Sequence, residues 1–151
     1  MKKRFFSLFL SCVLIFSLFG MFVYANEVEL NNEIILLENG DYIEVETIWS
    51  QARISRTATK SYTYRNSEGS AMWEAVLTAG FTYDGTTSSC TSASCNVTVY
   101  NSSYSMVTKH AYRSGNTAYA SVTMSYTTAG VTTSQSTYKI TLSCDENGNL
   151  S

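Results

Sequence analysis

Residues 71–83 read Ala71-Met72-Trp73-Glu74-Ala75-Val76-Leu77-Thr78-Ala79-Gly80-Phe81-Thr82-Tyr83, and Asp84-Gly85 follows. One alternate set holds Trp73, Ala75, Leu77, Ala79, Phe81 and Tyr83; the other holds Met72, Glu74, Val76, Thr78 and Thr82. Successive side chains of a strand point to opposite faces. A period of two, with the apolar set on one side, therefore predicts a long strand with one buried face. Asp84-Gly85 accepts the positive φ of a tight turn and predicts a hairpin.

The same reading extends in both directions. Upstream, residues 54–65 form a strand ending in Tyr62-Thr63-Tyr64, and Asn66-Ser67-Glu68-Gly69 turns into residues 71–83. Downstream, short strands are expected near residues 86–91 and 95–100. Asn101-Ser102-Ser103 turns into a strand over 104–113, and Ser114-Gly115-Asn116 turns again. Residues 117–128 place Ala118, Ala120, Val122, Met124 and Tyr126 inward. Ala129-Gly130 leads to 132–144, where Tyr138, Ile140, Leu142 and Cys144 share a face. About seven strands with turn signals every 8–12 residues predict an all-β fold, an antiparallel β-sandwich of Ig-like or barrel-like form. Alanines facing aromatic rings would let two sheets approach to about 10 Å. The body shows no long helical pattern and no internal repeat.

The first 25 residues have a different character. Met1-Lys2-Lys3-Arg4 is basic, residues 5–19 are largely apolar, and the stretch closes at Val23-Tyr24-Ala25. A basic start, an apolar middle and a small residue before the cut make a secretory signal peptide over residues 1–25. The expected location is extracellular, with no membrane span after cleavage.

Residues 26–51 form a separate acidic segment. It carries Glu27, Glu29, Glu33, Glu38, Asp41, Glu44 and Glu46, while the chain beyond residue 50 holds seven bases against five acids. Asn39-Gly40 predicts a hairpin turn, with Ile43, Val45 and Trp49 alternating against Glu44 and Glu46. A short helix over 28–37 is the second reading. The segment would be a propeptide, a solvated arm that serves as a solubilising leader, or an edge that covers part of the body, ahead of the sandwich domain, 52–151. Such a charge distribution offers no concentrated basic face and argues against a nucleic-acid binder.

Cys12 leaves with the signal, and Cys90, Cys95 and Cys144 remain. Export exposes them to an oxidising compartment, where a disulfide is expected. Cys90–Cys144 would tie the last strand to the middle of the domain and stabilise by roughly 3–4 kcal/mol in the chain-entropy model. Cys95–Cys144 is the alternative, because both share a core-facing parity. The close pair is Cys-x4-Cys and the chain has one histidine, which does not suit structural zinc. No metal or other cofactor is expected.

Catalytic signatures are missing. His110 has no Gly-x-Ser-x-Gly partner motif. Of the acids after residue 51, Glu68, Asp84, Asp145 and Glu146 fall at turns or the tail, leaving only Glu74 within a strand and no obvious carboxylate pair. Asp145 with Asn147-Gly148-Asn149 resembles part of a calcium loop without its closing Glu. No phosphate-binding loop is present. The expectation is a non-enzymatic protein. Its aromatic residues are the better lead, since rings with a polar edge suit sugars and interfaces. Tyr100 and Tyr119 have outward parity and are the candidate binding residues for a glycan, a cell-wall component or a surface protein. The protein is expected to act as a monomer. The alternative is a secreted, bacteriocin-like effector activated by loss of its acidic segment and acting on a protein or membrane partner.

Several pieces resemble a family of small secreted proteins of unknown function from Gram-positive, clostridial-type bacteria. They are Glu38-Asn39-Gly40-Asp41-Tyr42, Tyr64-Arg65-Asn66-Ser67-Glu68-Gly69 leading to Trp73, and Phe81-Thr82-Tyr83-Asp84-Gly85 leading to Cys90. Tyr100-Asn101-Ser102-Ser103, Arg113-Ser114-Gly115-Asn116 and the stretch from Thr141-Leu142-Ser143-Cys144 to Asn147-Gly148-Asn149-Leu150-Ser151 complete the set. The resemblance covers most of the chain after the signal. It implies that Cys90 and Cys144 pair and that Cys95 is an addition. It implies no activity and no catalytic residue.

Overall fold

A computed structural model describes residues 28–51 and 54–151; the expected signal peptide, 1–25, lies outside the described residues. Eight strands follow one another: β1 (Val28–Leu36), β2 (Tyr42–Gln51), β3 (Ser55–Arg65), β4 (Ala71–Tyr83), β5 (Ser88–Val99), β6 (Tyr104–Ser114), β7 (Thr117–Thr128) and β8 (Val131–Ser143). They form two antiparallel sheets, β1-β2-β3-β4-β5 and β6-β7-β8, each a meander in sequence order. The protein is an all-β sandwich.

The period of two in residues 71–83 is realised as the centre of the core. Trp73, Ala75, Leu77, Ala79 and Phe81 are all buried on the inner face of β4. Opposite them lie Ala118, Ala120, Val122 and Met124 from β7, with Ile140 and Leu142 from β8, all in the same apolar cluster. Alanines occupy four of these positions, so the backbones of the two sheets can approach closely while Trp73 and Phe81 fill the remaining volume.

Residues 28–51 are part of this sandwich. Val28–Leu36 is a strand and not the helix that was the second reading, and a turn at Leu37–Asp41 joins it to β2, with Gly40 at φ 82°. β2 pairs with β3 from Tyr42↔Arg65 to Gln51↔Arg56. Ile43, Val45 and Thr47 are buried, and the described β1 side chains from Leu30 to Leu36 are exposed.

The short strands expected at 86–91 and 95–100 are one continuous strand, β5, so residues 54–151 hold six strands, and β1 and β2 bring the total among the described residues to eight. The run Thr91-Ser92-Ala93-Ser94 is small and polar, which reads as a break. It instead occupies an edge strand whose outer face meets solvent, where such residues are tolerated. The register shifts between Gly80 and Phe81, which pair with Ser92 and Cys90 and leave Thr91 bulged. A bulge adds one residue and reverses the face of everything beyond it. Cys90 and Cys95, an odd number of positions apart, therefore both point inward and are buried. Gly80 makes room for the bulge: a Cβ there would lie 2.8 Å from Ser92 Oγ and 2.9 Å from Thr91 Oγ1.

The two ends of the sandwich differ. At one end the strand termini are stitched together. Cys90 N–H donates to Gly115 O (2.9 Å), Cys144 N–H to Asn116 O (3.1 Å), and Arg113 Nη1 to Cys90 O (2.8 Å). The C-terminal turn folds back there, with Gly85 N–H donating to Glu146 O at 2.8 Å and Gly148 packed against the Tyr83 ring. The Arg56 guanidinium lies 5.9 Å from the centre of that ring. At the other end the sheets part.

Candidate aromatic cleft

The parting is written in the strands themselves. Along the inner face of β8, Leu142 and Ile140 are fully buried, Tyr138 is half-buried, and Ser136 and Ser134 are exposed. The face remains inward while its chemistry turns from apolar to polar, so the strand leaves the core and lines a cleft. The cleft has a volume of about 580 Å³. Its floor and walls are aromatic: Tyr64 from β3, Trp73 from β4, Tyr104 from β6, Tyr126 from β7 and Tyr138 from β8. Leu37, Asn39 and Asp41 of the β1–β2 turn close one side.

The rings form one connected series. Tyr126 and Tyr104 have centroids 4.9 Å apart, Tyr104 and Tyr64 5.7 Å, Tyr64 and Trp73 5.5 Å, and Trp73 and Tyr138 4.7 Å. Tyr64 and Trp73 are stacked at 12°, and the other three pairs are tilted by 42–55°. These separations are those at which offset and tilted rings attract. Tyr104 is set in place by the β5–β6 crossover: Tyr100 and Asn101 N–H both donate to Met72 O, and Tyr104 N–H donates to Asn101 O.

Polar groups are held beside the rings. The Tyr64 hydroxyl donates to Asp41 Oδ2 at 2.6 Å, Asn39 Nδ2 to the same oxygen at 2.9 Å, and Ser67 N–H to Oδ1 at 3.0 Å. Burial, and then the bond to Asp41, push the Tyr64 phenol far above the usual tyrosine range. Burial raises Tyr104 and Tyr138 as well, and Asp41 adds to the rise at Tyr104. The indole N–H of Trp73 is buried and has no hydrogen-bond acceptor. The site can stack flat apolar surfaces, donate from tyrosine hydroxyls, and accept at Asp41.

The residues singled out from sequence lie elsewhere. Tyr100 is exposed and donates to Glu74 Oε2 at 2.9 Å, on the outer face of the five-stranded sheet. Tyr119 stands on the outer face of the three-stranded sheet, where it stacks on Tyr112 at 4.8 Å, and Tyr112 stacks on His110 at 5.6 Å. Tyr100 and Tyr119 are thus on opposite sides of the sandwich and form no common platform. Of the tyrosines whose facing is ambiguous in the sequence, Tyr62 and Tyr64 point inward and Tyr112 outward. The sequence reading missed this cleft; the signal that could have found it is Ser134 and Ser136 at the same parity as Tyr138 and Ile140, two polar residues where the pattern calls for core.

The expected bridge between Cys90 and Cys144 is not formed: Cys90, Cys95 and Cys144 are all free, buried thiols. Cys90 Sγ turns to Ser92 O (3.2 Å) and Cys144 Sγ to Asp145 O (3.5 Å). Among the described residues no group of three His, Cys, Asp or Glu side chains is placed to hold a metal. No protein-family model matches the chain, and neither a curated protein nor a solved structure matches it.

Proposed function

We propose that the protein is exported and binds a glycan or cell-wall saccharide, without chemical conversion, in the aromatic cleft. The observation that carries this reading is the connected series Tyr126–Tyr104–Tyr64–Trp73–Tyr138 lining one concave site with serines at its mouth. A pyranose ring has an apolar face that stacks on aromatic rings and a rim of hydroxyls. Ser134, Ser136, Asn39 and Asp41 are suited to that rim. About 580 Å³ lies within the usual range of ligand sites. Because residues 28–51 contribute Leu37, Asn39 and Asp41 to the cleft, this reading keeps the acidic segment in the active protein.

Export supplies a second element of the reading. Cys90 and Cys144 are bound through their backbones to the neighbouring carbonyls of Gly115 and Asn116, which brings the two thiols to one corner of the sandwich. Outside the cell a disulfide oxidant would convert this pair to a disulfide, and Cys95, on β5 beyond the bulge, would stay a thiol.

The test is co-sedimentation of the purified protein with isolated cell walls and insoluble polysaccharides. Saturable retention that resists salt, and that is lost in Tyr126→Ala and Tyr138→Ala, is expected. Retention unchanged in both variants would remove the cleft from the reading.

A further inference from the structure

The cleft has a marked charge asymmetry. Asp41 is the single charged side chain among its lining residues; no Lys, Arg or His is present. All three donors to its carboxylate are neutral: the Tyr64 hydroxyl, the Asn39 amide and the Ser67 backbone N–H. Arg65, which follows Tyr64 on β3, is otherwise engaged. Arg65 pairs with Glu44 at 2.8 Å and donates to Gly69 O, and it makes the only salt bridge among the described residues. A half-buried negative charge therefore sits beside five aromatic rings without a counter-charge. A carboxylate offers about four acceptor positions, and the three donors leave one for a ligand.

Aromatic faces add to this field. The ring quadrupole places negative charge over each face, and a cation held against such faces is attracted, more strongly as water is excluded. Rings tilted to one another by 42–55° present faces from several directions, as is needed to surround a compact cation. A neutral sugar would use the stacking surface and the polar rim, with no charge to meet that of Asp41. A sugar with a protonated amino group would use the stacking surface, the ring faces and the open position on Asp41 together.

Resting on the saccharide reading above, we infer that the cleft selects sugars that carry a free, protonated amino group over their neutral or N-acetylated counterparts. The carboxylate of Asp41 receives the ammonium, and the tyrosine rings enclose it. Ser134 and Ser136 remain available for the hydroxyls.

The experiment compares two probes of equal length, an oligomer of glucosamine and an oligomer of N-acetylglucosamine. Both are titrated against the purified full protein by calorimetry at a pH where the amine is protonated. The glucosamine oligomer is expected to bind at least about tenfold more tightly, the equivalent of one 1.4 kcal/mol step in affinity. Asp41→Asn should bring the ratio of the two affinities to about one. Ser134→Lys, at an exposed strand position, should also lower the ratio of the two affinities by placing a positive charge at the mouth; it is the decisive variant if Asp41→Asn fails to fold. Because the chain is acidic overall, Glu46→Gln on the outer face of β2 serves as the control and should change nothing. Equal binding of the two oligomers, or tighter binding of the acetylated one, overturns the inference and leaves the saccharide reading standing. A preference lost equally in Glu46→Gln also overturns it, because the attraction would then be diffuse. Binding of neither oligomer overturns both readings.

Discussion

Tyr64 and Asp41 are joined by a 2.6 Å hydrogen bond between residues 23 positions apart, one at the end of β3 and the other in the β1–β2 turn. The bond fixes the acidic hairpin against the aromatic end of the sandwich. A hydrogen bond to a charged acceptor contributes about 1.5–3 kcal/mol when shielded from water; Asp41 is half-buried, so the lower end of that range applies. Tyr64→Phe keeps the ring and its stacking on Trp73, and should lower stability by about 1–2 kcal/mol in denaturant titration.

The same tyrosines set an alkaline limit. Burial raises Tyr64, Tyr104 and Tyr138 above their ordinary value of about 10, so the unfolded chain loses these protons first as pH rises. The stabilisation is fully present below about pH 10 and declines as pH rises through the folded-state values. Ultraviolet titration should show these phenols resisting ionisation near pH 10. Melting temperature should fall steadily above that point, and less steeply in Tyr64→Phe.

Gly148 is the tightest glycine of the closed end. Its φ is +87°, and a Cβ there would lie 2.6–2.9 Å from atoms of the Tyr83 ring. Gly148→Ala should destabilise by about 2–4 kcal/mol, combining left-handed backbone strain with a clash. Gly115→Ala, at φ +58° with nothing within 4 Å, carries the backbone strain alone and should lower stability by about 1 kcal/mol. Thermal melts of the two variants should separate the two effects.

The alanines between the sheets set their spacing. Ala75 is fully buried on β4 among the residues that face β7 and β8. Ala75→Leu should force the sheets apart and lower stability by about 1–3 kcal/mol or more. Leu77→Ala, at an equally buried site, should lower it by about 2–5 kcal/mol through the cavity it leaves. Leu36→Ala, 79% exposed on β1, should change it by under about 0.5 kcal/mol.

Oxidation should link Cys90 to Cys144 and spare Cys95. Intact mass of the oxidised protein should be two hydrogens below the all-thiol value, with the linked peptides recovered after non-reducing digestion. Reduction, or Cys144→Ser, should lower stability by roughly 3–4 kcal/mol in the chain-entropy model, while Cys95→Ser should have a small effect. A Cys95-containing bridge in the digest would reverse this assignment.

Much of the fold is legible in the sequence because β-structure writes its faces as a period of two. Trp73 to Phe81, Ala118 to Met124 and Ile140 to Leu142 declare their inward positions without reference to any neighbour. Turn chemistry does the same for Asn39-Gly40, Asp84-Gly85 and Ser114-Gly115-Asn116, because few residues accept the backbone those turns require. The β5 strand was less legible. Its bulge at Thr91 depends on Gly80 of the neighbouring strand, and its polar residues tell of exposure at an edge rather than of a break.

The sequence by itself determined the all-β class, most of the strand faces and the turns, because each is written in a local pattern. Only the tertiary structure decided where a binding site lies. Alternation tells which face a residue is on, but not how deep it sits along the sandwich, so Tyr126 and Tyr138 read as core when they line a cleft. Tyr64, Trp73, Tyr104, Tyr126 and Tyr138 come from five strands in two sheets, and Asp41 from a turn whose acid looks solvent-directed on its own. Their convergence follows from how far the two sheets overlap, a long-range packing relation that no local window of sequence encodes.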